Sequence, residues 1–143
     1  MSTAFSSRPP RRAVCDAVLA GAVLWLAGCA SLQPKTPEDV VRQRAEERWA
    51  ALIDAQFPQA WQYTQPGFRA VVKQADYVKR FGAGAQWKGV QVHDVTCEAE
   101  RCAVRVRLTL TVLTPPFTGQ GLVSLVDETW VREDGQWWFY QAL

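Results

Sequence analysis

The sequence predicts an α+β domain in which helices come first and a curved antiparallel sheet of about four strands follows. Three observations carry this prediction. Apolar residues recur at helical spacing from Val41 to Phe57, and they alternate with polar ones from Ala103 to Thr114. Asp134-Gly135 stands between two apolar runs as a hairpin turn.

Thr36-Pro37-Glu38-Asp39 opens the first helix: Thr36 can cap free amides, Pro37 suits the first helical position, and two acids favour the positive end of the helix dipole. Val41, Ala45, Trp49, Leu52, Ile53 and Phe57 then form its apolar stripe. Pro58 ends this helix or begins a short second one carrying Trp61 and Tyr63. Gln65-Pro66-Gly67 breaks the chain, and a third helical segment runs through Val71, Tyr77, Val78 and Phe81 until Gly82-Ala83-Gly84 stops it.

After Trp87 the pattern becomes that of a sheet. Val90, Val92 and Val95 mark a first strand. In the second, Val104, Val106, Leu108, Leu110 and Val112 alternate with Arg105, Arg107, Thr109 and Thr111, so one face is buried and the other wet. A third strand is expected from about Gln120 to Arg132, and a fourth over Gln136–Ala142. Cys97 and Cys102 flank the polar turn Glu98-Ala99-Glu100-Arg101 and face each other across a hairpin. A disulfide there closes a small loop and stabilises by about 2 kcal/mol on the chain-entropy estimate.

The first 28 residues read as a leader. A basic stretch ending Arg8-Pro9-Pro10-Arg11-Arg12 precedes an apolar run from Ala17 to Trp25, which is too short to span a bilayer as a helix. Leu26-Ala27-Gly28-Cys29 follows directly and resembles the bacterial lipobox at all four positions. The resemblance implies cleavage before Cys29, a thioether-linked diacylglycerol on it, and a further acyl chain such as palmitate on the new amino terminus. Arg11-Arg12 lacks the surroundings of a twin-arginine signal, so the general secretory route is expected. Ala30 and Ser31 follow the cysteine where Asp would imply inner-membrane retention. The expected location is therefore the outer membrane, facing the periplasm. The chain divides into a signal peptide (1–28), a lipidated tether (29–36) and one domain (37–143). The six residues Ala30 to Lys35 reach at most about 20 Å, which keeps the domain near its membrane.

The net charge of +2 comes from the leader, whose three arginines outnumber Asp16; the remaining basic and acidic residues balance. A neutral domain has no electrostatic reason to seek phosphate backbones, which excludes nucleic acid as a partner.

Two segments carry a family likeness: Trp61-Gln62-Tyr63 with Pro66-Gly67-Phe68-Arg69, and Thr129-Trp130-Val131 with Asp134-Gly135-Gln136-Trp137-Trp138. With helices leading into a curved sheet over Pro37 to Leu143, the domain resembles the nuclear transport factor 2-like cone fold. That superfamily includes ketosteroid isomerases and many small bacterial binding domains. The isomerases use an acidic base with a tyrosine and a neutral acid, and Asp94, Asp127 and Tyr63 do not align with those roles. The resemblance thus implies the fold and no catalytic set.

The inventory of reagents is short. Beyond the leader there is one histidine, His93, and two serines, of which Ser31 lies in the tether and Ser124 has no nucleophile elbow around it. One histidine and a paired disulfide leave zinc only carboxylates, so no metal and no cofactor is expected. His93 reads as a partly exposed strand residue. The adjacent acids Asp127 and Glu128 must point to opposite sheet faces, and one of them can face the cone interior. A candidate pocket is therefore Trp61, Tyr63, Tyr77, Asp94, Asp127 and Tyr140, where a buried acid beside tyrosine would have a raised pKa. Trp137 and Trp138 cannot share a face either. Trp138, with Phe117 at the tip of Thr114-Pro115-Pro116-Phe117-Thr118-Gly119, forms a candidate partner surface. The leading expectation is a membrane-anchored, non-enzymatic envelope lipoprotein that docks on another envelope protein. Two alternatives stand beside it: a cone holding a small apolar molecule, and a cone-fold isomerase or lyase working with a single carboxylate.

Overall fold

The computed structural model describes residues 34–81 and 85–143. The leader, Cys29 and Gly82-Ala83-Gly84 lie outside the described residues.

Helix α1 spans Pro37–Ile53. The Thr36 hydroxyl accepts from the Asp39 amide at 3.2 Å, and the Asp39 carboxylate accepts from the Thr36 amide at 3.3 Å. This reciprocal box settles two of the amides that a helix start leaves open. The expected continuation to Phe57 does not occur, because Ala55 turns left-handed at φ 55° and Phe57 opens a new helix. Short helices follow: α2 over Phe57–Trp61, α3 over Pro66–Val71 and α4 over Gln74–Val78. The third helical segment is thus two pieces. Val72 between them is extended, at φ −95° and ψ 112°, a conformation that β-branched residues favour.

Four strands complete the domain: β1 Ala85–Glu98, β2 Arg101–Val112, β3 Gly121–Glu133 and β4 Gln136–Phe139. They lie in the order β1-β2-β3-β4, every pair antiparallel. Two irregularities in β1, at Trp87/Gly89 and Val92/Asp94, bend that strand, and His93 sits exposed in the second. Asp134 and Gly135 both have positive φ, as the tight β3–β4 turn requires. Strand β4 stops at Phe139 and not at Ala142, and at Phe139 its outer edge bridges the segment 63–65. The Phe139 amide donates to the Tyr63 carbonyl at 2.8 Å, and the Phe139 carbonyl accepts from the Gln65 amide at 3.1 Å.

Period-two alternation divides the sheet into faces. Val92, Val95, Cys102, Val104, Val106, Leu108 and Trp130 point inward and meet Val41, Ala45, Trp49 and Leu52 of α1. Cys97 and Cys102 are directly opposite one another and joined by a disulfide. The observed class is the α+β one expected, helices leading into a curved four-stranded antiparallel sheet. No described helix is long and apolar enough to cross a membrane.

Candidate functional site

Glu128 is the acid that faces the interior. Register places it opposite Val104, on the buried side of β3, and it is 5% exposed. Its Oε1 accepts from Arg48 Nη1 at 2.9 Å and from Trp49 Nε1 at 2.8 Å, while Oε2 accepts from Trp130 Nε1 at 3.0 Å. The Arg48 guanidinium also lies 3.7 Å from the centre of the Phe139 ring. Three donors on this carboxylate and a cation–π contact of Arg48 tie α1 to β3 and β4. Tyr77 is buried close by with its hydroxyl unpartnered, and burial pushes that hydroxyl above its ordinary value. Trp49, Phe68, Tyr77, Trp130 and Trp137 fill the space between helices and sheet.

The six residues of the candidate pocket do not converge. Asp127 points to the outer face, where its carboxylate pairs with Arg105 Nε at 3.0 Å, as its register opposite Arg105 demands. Asp94 is exposed on the same outer face and accepts from Thr96 Oγ1 at 3.4 Å. Trp61 is half-buried and donates from Nε1 to the Val72 carbonyl at 3.2 Å. Tyr63 donates to Glu47 Oε2 at 3.1 Å, Tyr77 lies in the interior, and Tyr140 is exposed beyond β4. The inward acid was legible as one of an adjacent pair, but its cage was not. The signal available for Arg48 was its position on the stripe Val41-Ala45-Arg48-Leu52, all of it buried.

A second cluster lines the β4 edge. The Arg44 guanidinium is 5.2 Å from the ring centres of both Tyr63 and Trp138. Arg69 lies 4.6 Å from Trp138 and 5.8 Å from Trp61. Two cations thus alternate with three aromatic rings. Trp138 is half-buried there and donates to the Glu133 carbonyl at 3.3 Å. It lies at a different end of the sheet from Phe117, so the two halves of the candidate partner surface are not joined.

On the outer face near the β2–β3 turn, apolar side chains gather in the open. Val123 is 55% and Leu125 64% exposed, opposite Thr109 and Arg107, and Phe117 is 56% exposed in the turn. Leu113 is exposed beside them, whereas Leu122, opposite Leu110, is exposed at the end of the inner face. At the other end of the same face, Thr96, Glu98, Ala99, Arg101, Ala103 and Thr129 border an open groove of about 460 Å³. Among the described residues no group of three His, Cys, Asp or Glu side chains is placed to hold a metal ion.

No protein-family model matches the chain, and no curated protein matches it. Solved structures do. A SEC-C motif containing protein from Rhodopseudomonas palustris shares 16% identity over 74% of this chain and 76% of its own, at a TM-score of 0.54. A second SEC-C motif containing protein, from Psychrobacter arcticus, shares 15% identity over 74% of this chain and 61% of its own, at 0.55. TsrD from Streptomyces laurentii shares 16% identity over 73% and 90%, at 0.50. At such identities the likeness shows the fold alone, helices leading into a curved antiparallel sheet.

Proposed function

We propose that this chain is a lipid-anchored envelope protein whose cone-type domain docks on another envelope protein and catalyses nothing itself. The observation that carries the docking is the exposed apolar group Leu113, Phe117, Val123 and Leu125, with the exposed Arg107 at its border. A surface of this kind fits a partner that is apolar at its centre and acidic at its rim. The anchor reading rests on Leu26-Ala27-Gly28-Cys29 behind its apolar run.

The interior supports the non-catalytic part of the proposal. Both oxygens of Glu128 are engaged by donors, and Trp49, Phe68, Tyr77, Trp130 and Trp137 are buried between helices and sheet.

A photo-crosslinking residue at Phe117, in cells producing the protein at native level, tests the docking. One discrete adduct that disappears with Leu125→Arg supports it. No adduct, or the same adduct in Leu125→Arg, overturns it. Fatty-acid labelling of wild type against Cys29→Ala tests the anchor separately, and equal incorporation in the two rejects it.

A further inference from the structure

We propose that the Arg44–Arg69 edge beside Trp138 is a binding site for a small oxyanion, a carboxylate or phosphate group carried by a ligand. The inference does not depend on the docking reading, since the site lies at the other end of the sheet.

Arg44 is half-buried, its Nε is enclosed with no partner, and it enters none of the ion pairs among the described residues. Arg69 donates from Nη1 to the carbonyls of Gln62 and Thr64, which fixes its guanidinium against Trp138 while its remaining donors stay uncommitted. Two acids act on the pair electrostatically, Glu47 on Arg44 and Glu133 on Arg69. Glu47 is already the acceptor for Gln43 Nε2 at 2.7 Å and for the Tyr63 hydroxyl at 3.1 Å. Burial lowers the pKa of both arginines, and Arg44 lowers that of Arg69 further. Two guanidiniums that disfavour each other share one indole, with no carboxylate bridging them. An oxyanion satisfies forked donors of this kind and relieves the repulsion. The aromatic rings Tyr63, Trp138 and Trp61 hold the cations in place, so little side-chain freedom is lost on binding.

The test is an NMR titration of the full chain in detergent with inorganic phosphate, and separately with acetate, at ionic strength held constant with sodium chloride. The expected result is a saturable shift of the Trp138 indole and Arg44 Nε signals by at least one of the two anions. Arg107→Gln, on the outer sheet face, leaves that shift intact, and Arg44→Gln weakens binding by about ten-fold or more. Arg44→Lys keeps the charge and loses the fork, so it binds more weakly than wild type while the Trp130 indole signal reports an unchanged core. If neither anion gives saturation, or if shifts spread equally over Arg101, Arg105 and Arg107, the site does not exist. An Arg44→Lys variant that binds as tightly as wild type also overturns the proposal.

Discussion

Glu128→Gln keeps the shape of a side chain and removes the charge that Arg48 is buried against. The amide presents a donor where the carboxylate accepts from Arg48, Trp49 or Trp130, and the guanidinium is left without a counter-charge in the core. The expected cost is about 3 kcal/mol, read from urea unfolding, and a loss below about 1 kcal/mol would show that the cage does not hold α1 to the sheet. Replacing both partners, as Arg48→Met with Glu128→Leu, recovers most of that loss because no charge is then stranded. Tyr77 offers the converse case. Its hydroxyl is buried without a partner, so Tyr77→Phe is expected to be neutral or more stable by up to about 1 kcal/mol at pH 7. Burial holds the folded-state pKa above the ordinary value of 10.0, with the charge of Arg48 pulling less strongly the other way. The stability this difference supplies is complete below the unfolded value and is lost as pH rises toward the folded one. Tyr77→Phe should therefore flatten the fall in stability above pH 10.0, and an unchanged slope would assign that fall to other groups. At this scale the adjacency of Asp127 and Glu128 was readable, since neighbours on a strand must diverge. Which of them turns inward was not, because it depends on register against Val104 and on an arginine reaching from a helix 80 residues away in sequence.

Among the elements, β2 was the most legible, because its apolar and polar residues alternate without interruption and its inward face is buried throughout the central run Cys102 to Leu108. The β1–β2 hairpin was legible for the same reason, with Cys97 and Cys102 in direct register at its end. Substituting both with Ala is expected to lower stability by about 2 kcal/mol. Reducing the wild-type protein should lower its unfolding free energy in urea by a similar amount, and an unchanged midpoint on reduction would mean that the bridge contributes nothing. Less legible were the breaks that single residues impose. Ala55 at positive φ ends α1, although nothing about alanine announces a left-handed turn. Val72 splits the third helical segment, and the carbonyl freed there accepts from the Trp61 indole, a contact between helices that local pattern does not contain. The pairing of the Phe139 edge with Tyr63–Gln65 was equally hidden, since that segment lies far away in sequence.

For the molecule as a whole, the two ends of the sheet differ in what they offer. The β1–β2 turn end carries the exposed polar residues Glu98, Glu100 and Arg101, and about 30 Å along β2 from Arg101 to Leu110 lies the β2–β3 turn end with exposed Leu113, Phe117, Val123 and Leu125. Exposed apolar side chains of this kind can be covered by a protein partner or by a lipid surface. Docking on a protein gives the apolar tip no preference for a bilayer. A fluorescent amino acid at Glu100 or at Phe117, in the full chain reconstituted into vesicles carrying a headgroup quencher, separates these arrangements. Quenching at Phe117 no stronger than at Glu100 is expected. Stronger quenching at Phe117 would turn the same exposed residues into a membrane-contacting face and overturn the docking proposal.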